Sequence, residues 1–190
     1  FRMADTAKKH TGSQYLTMAG GVALNCVANG KLLRRGTFKD IWIQPAAGDA
    51  GGAVGAAYAA WYIGKSRKRK ITKGKDSMQG AYLGPQYDAA TIERVARRYK
   101  APCHYYDDFE KLCKEVTDLL DQGCVIGWLQ GRMEYGPRAL GNRSILGSPC
   151  KPDMQKKLNL KIKYREGFRP FAPAVMEEEI GTYFELDRPS

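Results

Sequence analysis

Two stretches of the sequence repeat the same order of an apolar strand pattern, a glycine-rich turn and a helical pattern. The first repeat covers residues 15–33 and the second covers residues 41–63. Strands that alternate with helices are typical of an α/β layer, so this order predicts an α/β fold. The expected strands are residues 15–18 and 41–44, and the expected helices are residues 22–33 and 53–63.

Each turn carries residues that can bind an anion or a metal. Gly20 and Gly21 form the first turn, and a glycine turn at a helix start exposes N–H groups that can cradle phosphate. Such turns are also common without any ligand. Asp49 lies at the mouth of the second turn, where a carboxylate can hold a metal, a ribose or a phosphate-bound cation. An Asp beside glycines can equally be a helix N-cap or a turn former.

Residues 131–144, named here the arginine loop, form the most distinctive cationic segment. The apolar run 125–129 predicts a strand that leads into Arg132, Arg138 and Arg143. Guanidinium groups bind phosphate or carboxylate in a bidentate manner, and glycines let backbone N–H groups approach the ligand. Ser144 lies where a new element is expected to begin, so its N–H group can add to the anion affinity. The alternative interpretation is a solvated loop of surface arginines.

A second cationic cluster lies some thirty positions further along and contains Lys161, Lys163, Arg165 and Arg169. We expect the two clusters to converge on one pocket that binds a phosphate-bearing ligand. Arg132 and Arg165 can either bind this ligand or pair with Glu134 and Glu166. Lys163 and Arg165, which alternate with Tyr164, are expected on one side of an extended chain.

The positive charge is confined to two places. The net charge is +11, and seven Lys or Arg residues lie between positions 64 and 75 with no acidic residue among them. Residues 132–169 hold ten basic and three acidic residues, which gives +7. This distribution favours a local site for a phosphorylated small molecule over a general nucleic-acid footprint. Residues 65–79 are interpreted as a solvated linker, with nucleic-acid contact as the alternative.

Beyond the linker we expect a second α/β unit with a strand at 81–83, a strand-like segment at 103–106 and two amphipathic helices. Asp88 is expected to cap the first helix and Asp107 the second, and their apolar stripes are expected to be core. Asp153 is expected to begin a third helix, in which Met154, Leu158 and Ile162 recur every four residues.

The chain carries neither a signal-peptide pattern nor a long apolar run, so a cytoplasmic protein without a membrane partner is expected. The five cysteines lack a CxxC pair and are interpreted as reduced, mostly buried thiols. His10 and His104 are interpreted as ordinary surface or packing residues. The helix that is already under way at the first residue indicates a fragment of a longer chain.

Two long strings, residues 130–146 and 163–173, resemble the C-terminal signature of the NodU/CmcH/TobZ-type O-carbamoyltransferases. Residues 18–25 and 47–57 resemble the nucleotide-side motifs of the Kae1-like domain of the same family, a branch of the actin/Hsp70 (ASKHA) superfamily. The resemblance implies three segments. Residues 1–64 would be the end of the Kae1-like domain, residues 65–79 a basic linker, and residues 80–190 the start of a YrdC-like domain.

The resemblance also implies an activity. The YrdC-like domain would use carbamoyl phosphate and ATP to make carbamoyl adenylate, and the Kae1-like domain would transfer the carbamoyl group to a hydroxyl of an antibiotic or nodulation-factor type of acceptor. Asp49 would join two histidines of an upstream HxxxH motif, which this chain lacks, in holding a divalent metal such as iron. The rest of the protein's own chain would therefore be needed for a complete site, and the isolated piece is expected to bind phosphate-bearing ligands without completing the transfer.

Specific roles follow for the cationic residues. Arg138, Lys163 and Arg169 are expected to bind the phosphates of carbamoyl phosphate or of the adenylate directly. The expected contacts on the nucleotide side, together with the two arginines that can instead pair with glutamates, are Gly20, Gly21, Asn25, Arg143, Ser144, Arg132 and Arg165.

Two other functions fit parts of the pattern. An RNA-binding or tRNA threonylcarbamoylation-related module would explain the basic run, and RNA affinity that falls steeply with salt would distinguish it. A sugar-kinase-type phosphotransferase would explain the Gly20-Gly21 and Asp49 turns and would leave the C-terminal cations without a role.

Overall fold

The computed structural model describes residues 1–71 and 74–185, and it divides into two compact units. Unit 1 comprises Phe1–Lys100 and Leu129–Ser144, and unit 2 comprises Ala101–Trp128 and Ile145–Ser190. Lys73 of the basic run and the final residues 186–190 lie outside the described part. Within the described part, no helix combines the length and the apolar character that crossing a bilayer requires. The mixture of short helices and strands confirms the α/β fold class.

Unit 1 opens with an alternation of helices and strands. Its regular elements are α1 (Arg2–Thr11), β1 (Tyr15–Met18), α2 (Cys26–Arg34), β2 (Asp40–Ile43), α3 (Asp49–Tyr58) and α4 (Ala89–Arg98). β1 and β2 pair in parallel, with Leu16 opposite Ile41 and Met18 opposite Ile43. The parallel direction follows from α2, which carries the chain back between the two strands. Both predicted strands of this unit are therefore confirmed, the second one residue earlier than expected.

The helices α2 and α3 begin in different ways. A single helix was expected over 22–33, but a 3-10 turn over Gly21–Leu24 is followed by a break at Asn25. The Asn25 side chain accepts a hydrogen bond from Ala28 N at 3.0 Å and caps α2. α3 begins at Asp49, four residues before the expected start, and continues into a π-helical segment over Ala59–Gly64.

Unit 2 contains one long helix, α5 (Phe109–Asp121), and a short helix, α6 (Met154–Lys157), which continues as a π-helical turn over Leu158–Ile162. The predicted third helix is thus confirmed from Met154 onward. In unit 2, α7 (Ile180–Tyr183) follows a 3-10 turn over Glu177–Glu179. The strands β3 (Ile126–Leu129) and β4 (Arg143–Leu146), which are not confined to unit 2, pair in a two-stranded sheet. The strand expected from the apolar run 125–129 is confirmed over its last four residues.

The buried core of each unit is small. The buried apolar residues of unit 1 are Ala23, Leu32, Phe38, Ala47 and Ala81, and those of unit 2 are Met154 and Leu158. In unit 2, Gly147 packs closely against Met154 and Leu158. A Cβ at position 147 would lie 2.8 Å from Met154 Sδ and 3.2 Å from Leu158 Cδ1. A side chain at position 147 would therefore push the 154–162 helix away from its support.

Several local predictions are wrong. The expected strand at 81–83 is absent because Gln79, Gly80 and Ala81 adopt positive φ angles of 49, 64 and 70°, which a strand cannot contain. Residues 103–106 form no strand. The helix expected to end at residue 33 instead ends at Arg34, with Arg35 as its C-cap and Gly36, at a φ of 72°, directly after it.

The cap of α5 is Asp108, whose carboxylate accepts from Glu110 N at 2.9 Å, and not Asp107. Asp88 caps α4 as predicted, with Thr91 N as its donor at 2.8 Å. Hydrogen bonds from the Thr91 side chain and then from its backbone N–H lower the Asp88 pKa.

Two predictions about burial are also wrong. The apolar stripe of α4 is exposed, with Tyr99 72% accessible, because no described element packs over it. All five cysteines are free, in keeping with the predicted reduced thiols, but three of them are exposed and the other two are only half-buried.

Candidate anion-binding site

A buried carboxylate organises the arginine loop of unit 1. Glu134 is 3% exposed, and its Oε1 accepts hydrogen bonds from Leu140 N at 2.7 Å and Asn142 N at 2.8 Å. Its Oε2 lies 3.2 Å from Arg143 Nε. Burial disfavours the charged form, but the backbone N–H groups of Glu134, Asn142 and Leu140, together with Arg143, outweigh it. The pKa of Glu134 is therefore lowered, and the loop folds around a fixed negative charge.

Arg143 is occupied by the loop itself. Besides the pair with Glu134, its Nη2 donates to the carbonyl oxygens of Gly136 and Arg138, the latter at 3.2 Å. The Ser144 hydroxyl accepts from Gly141 N at 3.1 Å. Arg143 and Ser144 thus hold both ends of the 136–143 segment, in addition to whatever ligand contacts they make.

Arg132 does not form the ion pair with Glu134 that the sequence left open. Its Nη1 donates to Gly84 O at 2.8 Å, and its carbonyl accepts from Asn142 Nδ2 at 2.8 Å, so Glu134 is not its partner. The guanidinium lines an open groove of about 400 Å³, and the other lining residues are Gln86, Tyr87, Asp88 and Thr91.

Arg138 differs from its two neighbours. Its side chain is exposed, and no hydrogen bond, ion pair or ring contact of its guanidinium is seen within residues 1–71 and 74–185. Its backbone is nevertheless held, because its carbonyl accepts from Arg143. A guanidinium without a protein partner on a fixed backbone is available for an external anion.

The arginine loop packs on the turn that precedes α3. The Tyr135 hydroxyl donates to Ala50 O at 2.5 Å. Gly136, with φ of 95°, lies so close to this turn that a Cβ would come within 2.6 Å of Ala46 Cβ. Ala46 itself has a positive φ of 55°. Two motifs that are about 90 positions apart in the sequence therefore form one surface of unit 1.

The Gly20-Gly21 turn joins the same surface. Gly20 N donates to Ala47 O at 2.6 Å, and Gly20 has a φ of 96° that favours glycine. Gly20 and Gly21 are exposed, as is Asn25, whose side-chain oxygen is already used as the cap of α2. Three motifs that the sequence analysis singled out separately thus meet at residues 46–50.

Asp49 lies exposed in the first turn of α3. No group of three or more His, Cys, Asp or Glu side chains that can hold a metal ion occurs among the described residues. A metal site requires several such ligands. The described residues therefore do not fit a metal centre by themselves, and Asp49 is one candidate ligand at most.

The second cationic segment, residues 163–169, is named here the cationic loop and belongs to unit 2. Its predicted extended form is wrong, because Lys163 closes the π-helical turn and Tyr164 has a φ of 48° that reverses the chain. Lys163 is exposed, and no partner of its ammonium group is seen in the described part of the chain.

Arg165 and Arg169 have partners within the cationic loop. Arg165 Nε donates to Asn159 Oδ1 at 2.7 Å, and its guanidinium stacks 4.9 Å from the centre of the Phe171 ring. Arg169 Nε lies 2.8 Å from Glu166 Oε2. The backbone N–H of Glu166 and then Arg169 are the main causes that lower the Glu166 pKa. Both partners of this ion pair are about half exposed, so an external anion can compete for Arg169.

Sequence analysis missed the residues that shape the two loops. Glu134 appeared only as a possible partner of Arg132, and neither Tyr135 nor Asn159 was singled out. A signal was present for Asn159, which is a polar residue between Leu158 and Leu160. Arg138 belongs to unit 1, whereas Lys163 and Arg169 belong to unit 2, so their convergence on one phosphate stays a prediction.

Two models of one protein family match this chain, and one of them covers the cationic residues described above. Residues 1–58 match the family model described as the N-terminus of carbamoyltransferases, and residues 117–190 match the model of the carbamoyltransferase C-terminus. Together, these two matches cover both glycine-rich turns, the arginine loop and the cationic loop. The chain belongs to the carbamoyltransferase family.

Individual relatives share nearly all of this chain. An uncharacterized protein of Synechocystis sp. is 54% identical over 100% of the chain and 31% of its own length. Nodulation protein NolNO of Sinorhizobium fredii is 44% identical over 93% of the chain and 25% of its own length. The 3'-hydroxymethylcephem-O-carbamoyltransferase of Amycolatopsis lactamdurans is 33% identical over 90% and 30%. The chain therefore spans about a third or less of the length of these relatives.

Proposed function

We propose that this chain forms the phosphate-binding part of an O-carbamoyltransferase that uses carbamoyl phosphate and ATP. In this proposal residues 1–64 end an actin/Hsp70-like, Kae1-like domain, and residues 80–190 begin a YrdC-like domain. The support is membership in the carbamoyltransferase family together with the two cationic loops. One relative is named for carbamoylation of a hydroxymethyl group, which favours a small-molecule hydroxyl as the acceptor.

The observation that carries the proposal is the state of Arg138. Its guanidinium has no partner among the described residues, while the loop beneath it is fixed by the buried Glu134 carboxylate. A fixed backbone that presents an unpaired cation is preorganised for an anion, and it does not have to rearrange during the reaction. A surface arginine without a role would not need a buried carboxylate to hold its loop.

The chemistry that we propose balances with one water. Carbamoyl phosphate and water give carbamate and inorganic phosphate. An oxygen of carbamate then attacks the α-phosphorus of ATP, forms carbamoyl adenylate and expels pyrophosphate. The acceptor hydroxyl finally attacks the carbamoyl carbon, loses its proton and releases AMP.

Negative charge is concentrated on phosphoryl oxygens in the first two steps. Fixed cations stabilise that charge, and positioning together with charge stabilisation is most of what a protein supplies to phosphoryl chemistry. Arg138, Lys163 and Arg169 are the proposed ligands of these oxygens. Arg169 would exchange its exposed partner Glu166 for the substrate.

The nucleotide side of the proposal rests on the surface around residues 46–50. Gly21 offers a backbone N–H group there, Gly20 shapes the turn through its own N–H bond to Ala47 O, and Asn25 lies at the start of α2. Arg143 and Ser144 shape the neighbouring loop, and Arg132 and Arg165 act as supporting charges. Because Asp49 is the single candidate metal ligand that we identify in the described chain, the proposal contains no metal step.

The test is a label-transfer experiment with the protein that carries this chain. Carbamoyl phosphate labelled at its carbon is supplied with ATP, and labelled carbamoyl adenylate is expected with one pyrophosphate per adenylate. Bicarbonate with inorganic phosphate serves as the control and should give no adenylate. Absence of labelled carbamoyl adenylate, with a folded protein that binds ATP, would contradict the proposal.

A further inference from the structure

Asn159 is the most deeply enclosed polar side chain of unit 2. It is 0% exposed, it lies in the π-helical turn, and it neighbours the buried Leu158. Both polar atoms of its side chain face the cationic loop. A buried amide that makes several bonds to one loop costs free energy when any of those bonds is lost.

The contacts of Asn159 span the loop from one side to the other. Its Oδ1 accepts from Arg165 Nε at 2.7 Å, and its backbone oxygen accepts from Arg165 N at 2.9 Å. Its Nδ2 donates to Gly167 O at 3.2 Å and to Arg169 O at 2.8 Å. One side chain therefore fixes the guanidinium of Arg165 and the backbone that carries Arg169.

The support beneath Asn159 is rigid. The 154–162 helix is seated through Met154 and Leu158, against which Gly147 packs so closely that no side chain fits at position 147. The π-helical turn widens the helix at the point where Lys163 N reaches Leu158 O at 2.9 Å, and Tyr164 then reverses the chain. π-helical turns inside helices frequently occur at functional sites.

We propose that Asn159 is a positioning residue that sets the placement of the cations of residues 163–169, and that this placement determines the affinity for the phosphate of the carbamoyl donor. This inference rests on the proposed function for its ligand but not for the geometry of the loop. Asn159 itself would not touch the substrate. It acts through Arg165 and through the backbone at Arg169.

Asn159→Asp is the most informative variant. The size of the side chain is retained and Oδ1 can still accept from Arg165, but Nδ2 is replaced by an oxygen that faces the carbonyls of Gly167 and Arg169. Two acceptors then oppose a carboxylate, and the added charge neutralises Arg165. Gln155→Ala is the matched control, because exposed Gln155 also donates to Arg169 O, at 3.1 Å, from outside the loop.

The first readout needs no activity. Trypsin cleaves after Lys and Arg, so cleavage after Lys163 and Arg165 reports how tightly the loop is held, whereas Arg169 is followed by Pro170 and resists cleavage. Limited proteolysis followed by mass spectrometry is expected to show cleavage at these two positions at least about fivefold faster in Asn159→Asp. Gln155→Ala should match the wild type. Equal cleavage rates in all three proteins would overturn the positioning role.

The second readout is kinetic and tests the link to the substrate. In Asn159→Asp the KM for carbamoyl phosphate is expected to rise about tenfold or more, while the KM for the acceptor changes by less than about twofold. A merely structural role would lower the amount of active enzyme and leave both KM values unchanged, and that result would refute the inference.

Arg165→Lys keeps the test decisive if Asn159→Asp does not fold. The lysine retains the charge but loses the fixed Nε–H donor to Asn159, so it should show the same faster cleavage after position 163 and the same rise in the KM for carbamoyl phosphate. Unchanged values for both would overturn the inference. If the wild type neither binds nor uses carbamoyl phosphate, the proposed function fails, and the trypsin result still decides the placement of the loop.

Discussion

Arg143 Nε lies 3.2 Å from Oε2 of Glu134, and the Glu134 side chain is fully enclosed by its own loop. The other carboxylate oxygen is bound by two backbone N–H groups, so every part of the charge is satisfied. An ion pair of this kind contributes little by its attraction alone, but it is costly to break on one side. The arginine loop depends on this pair for its shape.

The first prediction concerns the stability that Glu134 confers. Glu134→Ala should lower the free energy of unfolding by about 3 kcal/mol, because it leaves the Arg143 charge and two backbone donors without their partner. Urea denaturation monitored by tryptophan fluorescence measures this value. Glu166→Ala removes an exposed ion pair of the same type and should leave the midpoint unchanged within error.

The second prediction concerns pH. The folded pKa of Glu134 is lowered from its ordinary value of 4.5, so its contribution to stability is present above pH 4.5 and is lost as the pH falls through the folded pKa. The free energy of unfolding of the wild type should therefore fall as the pH is lowered from about 5 toward the acid limit of folding. The free energy of unfolding of Glu134→Gln should fall less steeply over the same pH range.

Asp88 and Glu166 also have lowered pKa values, so both proteins retain part of the acid dependence. The difference between the two curves isolates Glu134. Parallel curves would show that this carboxylate is protonated at the same pH in the folded and unfolded chains.

The third prediction concerns the contact between the arginine loop and the turn before α3. Gly136→Ala introduces a Cβ 2.6 Å from Ala46 Cβ at a φ of 95°, so it combines a clash with backbone strain. We expect a loss of about 2–4 kcal/mol. Gly141→Ala has a φ of 120° and no atom within 4 Å, so it carries the strain alone and should cost about 1 kcal/mol. Thermal unfolding of both variants separates the two effects, and equal losses would disprove the contact.

The order of the early elements could be predicted from the sequence because it is determined locally. The strand patterns at residues 15–18 and 41–44 and the Asp88 cap depend on neighbours a few positions away. The strand expected at 81–83 failed because Ala81, with its positive φ of 70°, turns the chain and bonds to the distant arginine loop, with Tyr135 N donating to Ala81 O at 2.6 Å. Long-range partners of this kind leave no periodic signal.

In the candidate site, too, some residues could be predicted from the sequence and others could not. The cations were visible because Arg and Lys are distinctive in sequence, and Arg138 and Lys163 are indeed exposed. The groups that hold them were not visible, because Glu134 and Asn159 act through backbone N–H and C=O groups that every residue possesses. The apolar stripe of α4 was expected in a core because the pattern predicts a partner surface but does not identify it.

The fourth prediction concerns the basic run after α3. Lys68, Arg69 and Lys70 are exposed, and changing all three to Gln should leave carbamoyl adenylate formation within about twofold of the wild type, because they lie outside both cationic loops. RNA binding measured from 50 to 300 mM salt is the companion assay. A steep fall with salt that disappears in the triple variant, together with a loss of adenylate formation, would favour the RNA-related alternative.

The most direct test of the account is the rate of carbamoyl-phosphate-dependent pyrophosphate release from ATP in Arg138→Ala and Lys163→Ala, with Arg97→Ala as an exposed-cation control. Loss of a charged phosphate contact costs roughly 2–4 kcal/mol, so each of the two site variants should be slower by about 30-fold or more, and the control should be unchanged. Rates for both site variants within about twofold of the wild type would contradict the assignment of these cations to the donor phosphate.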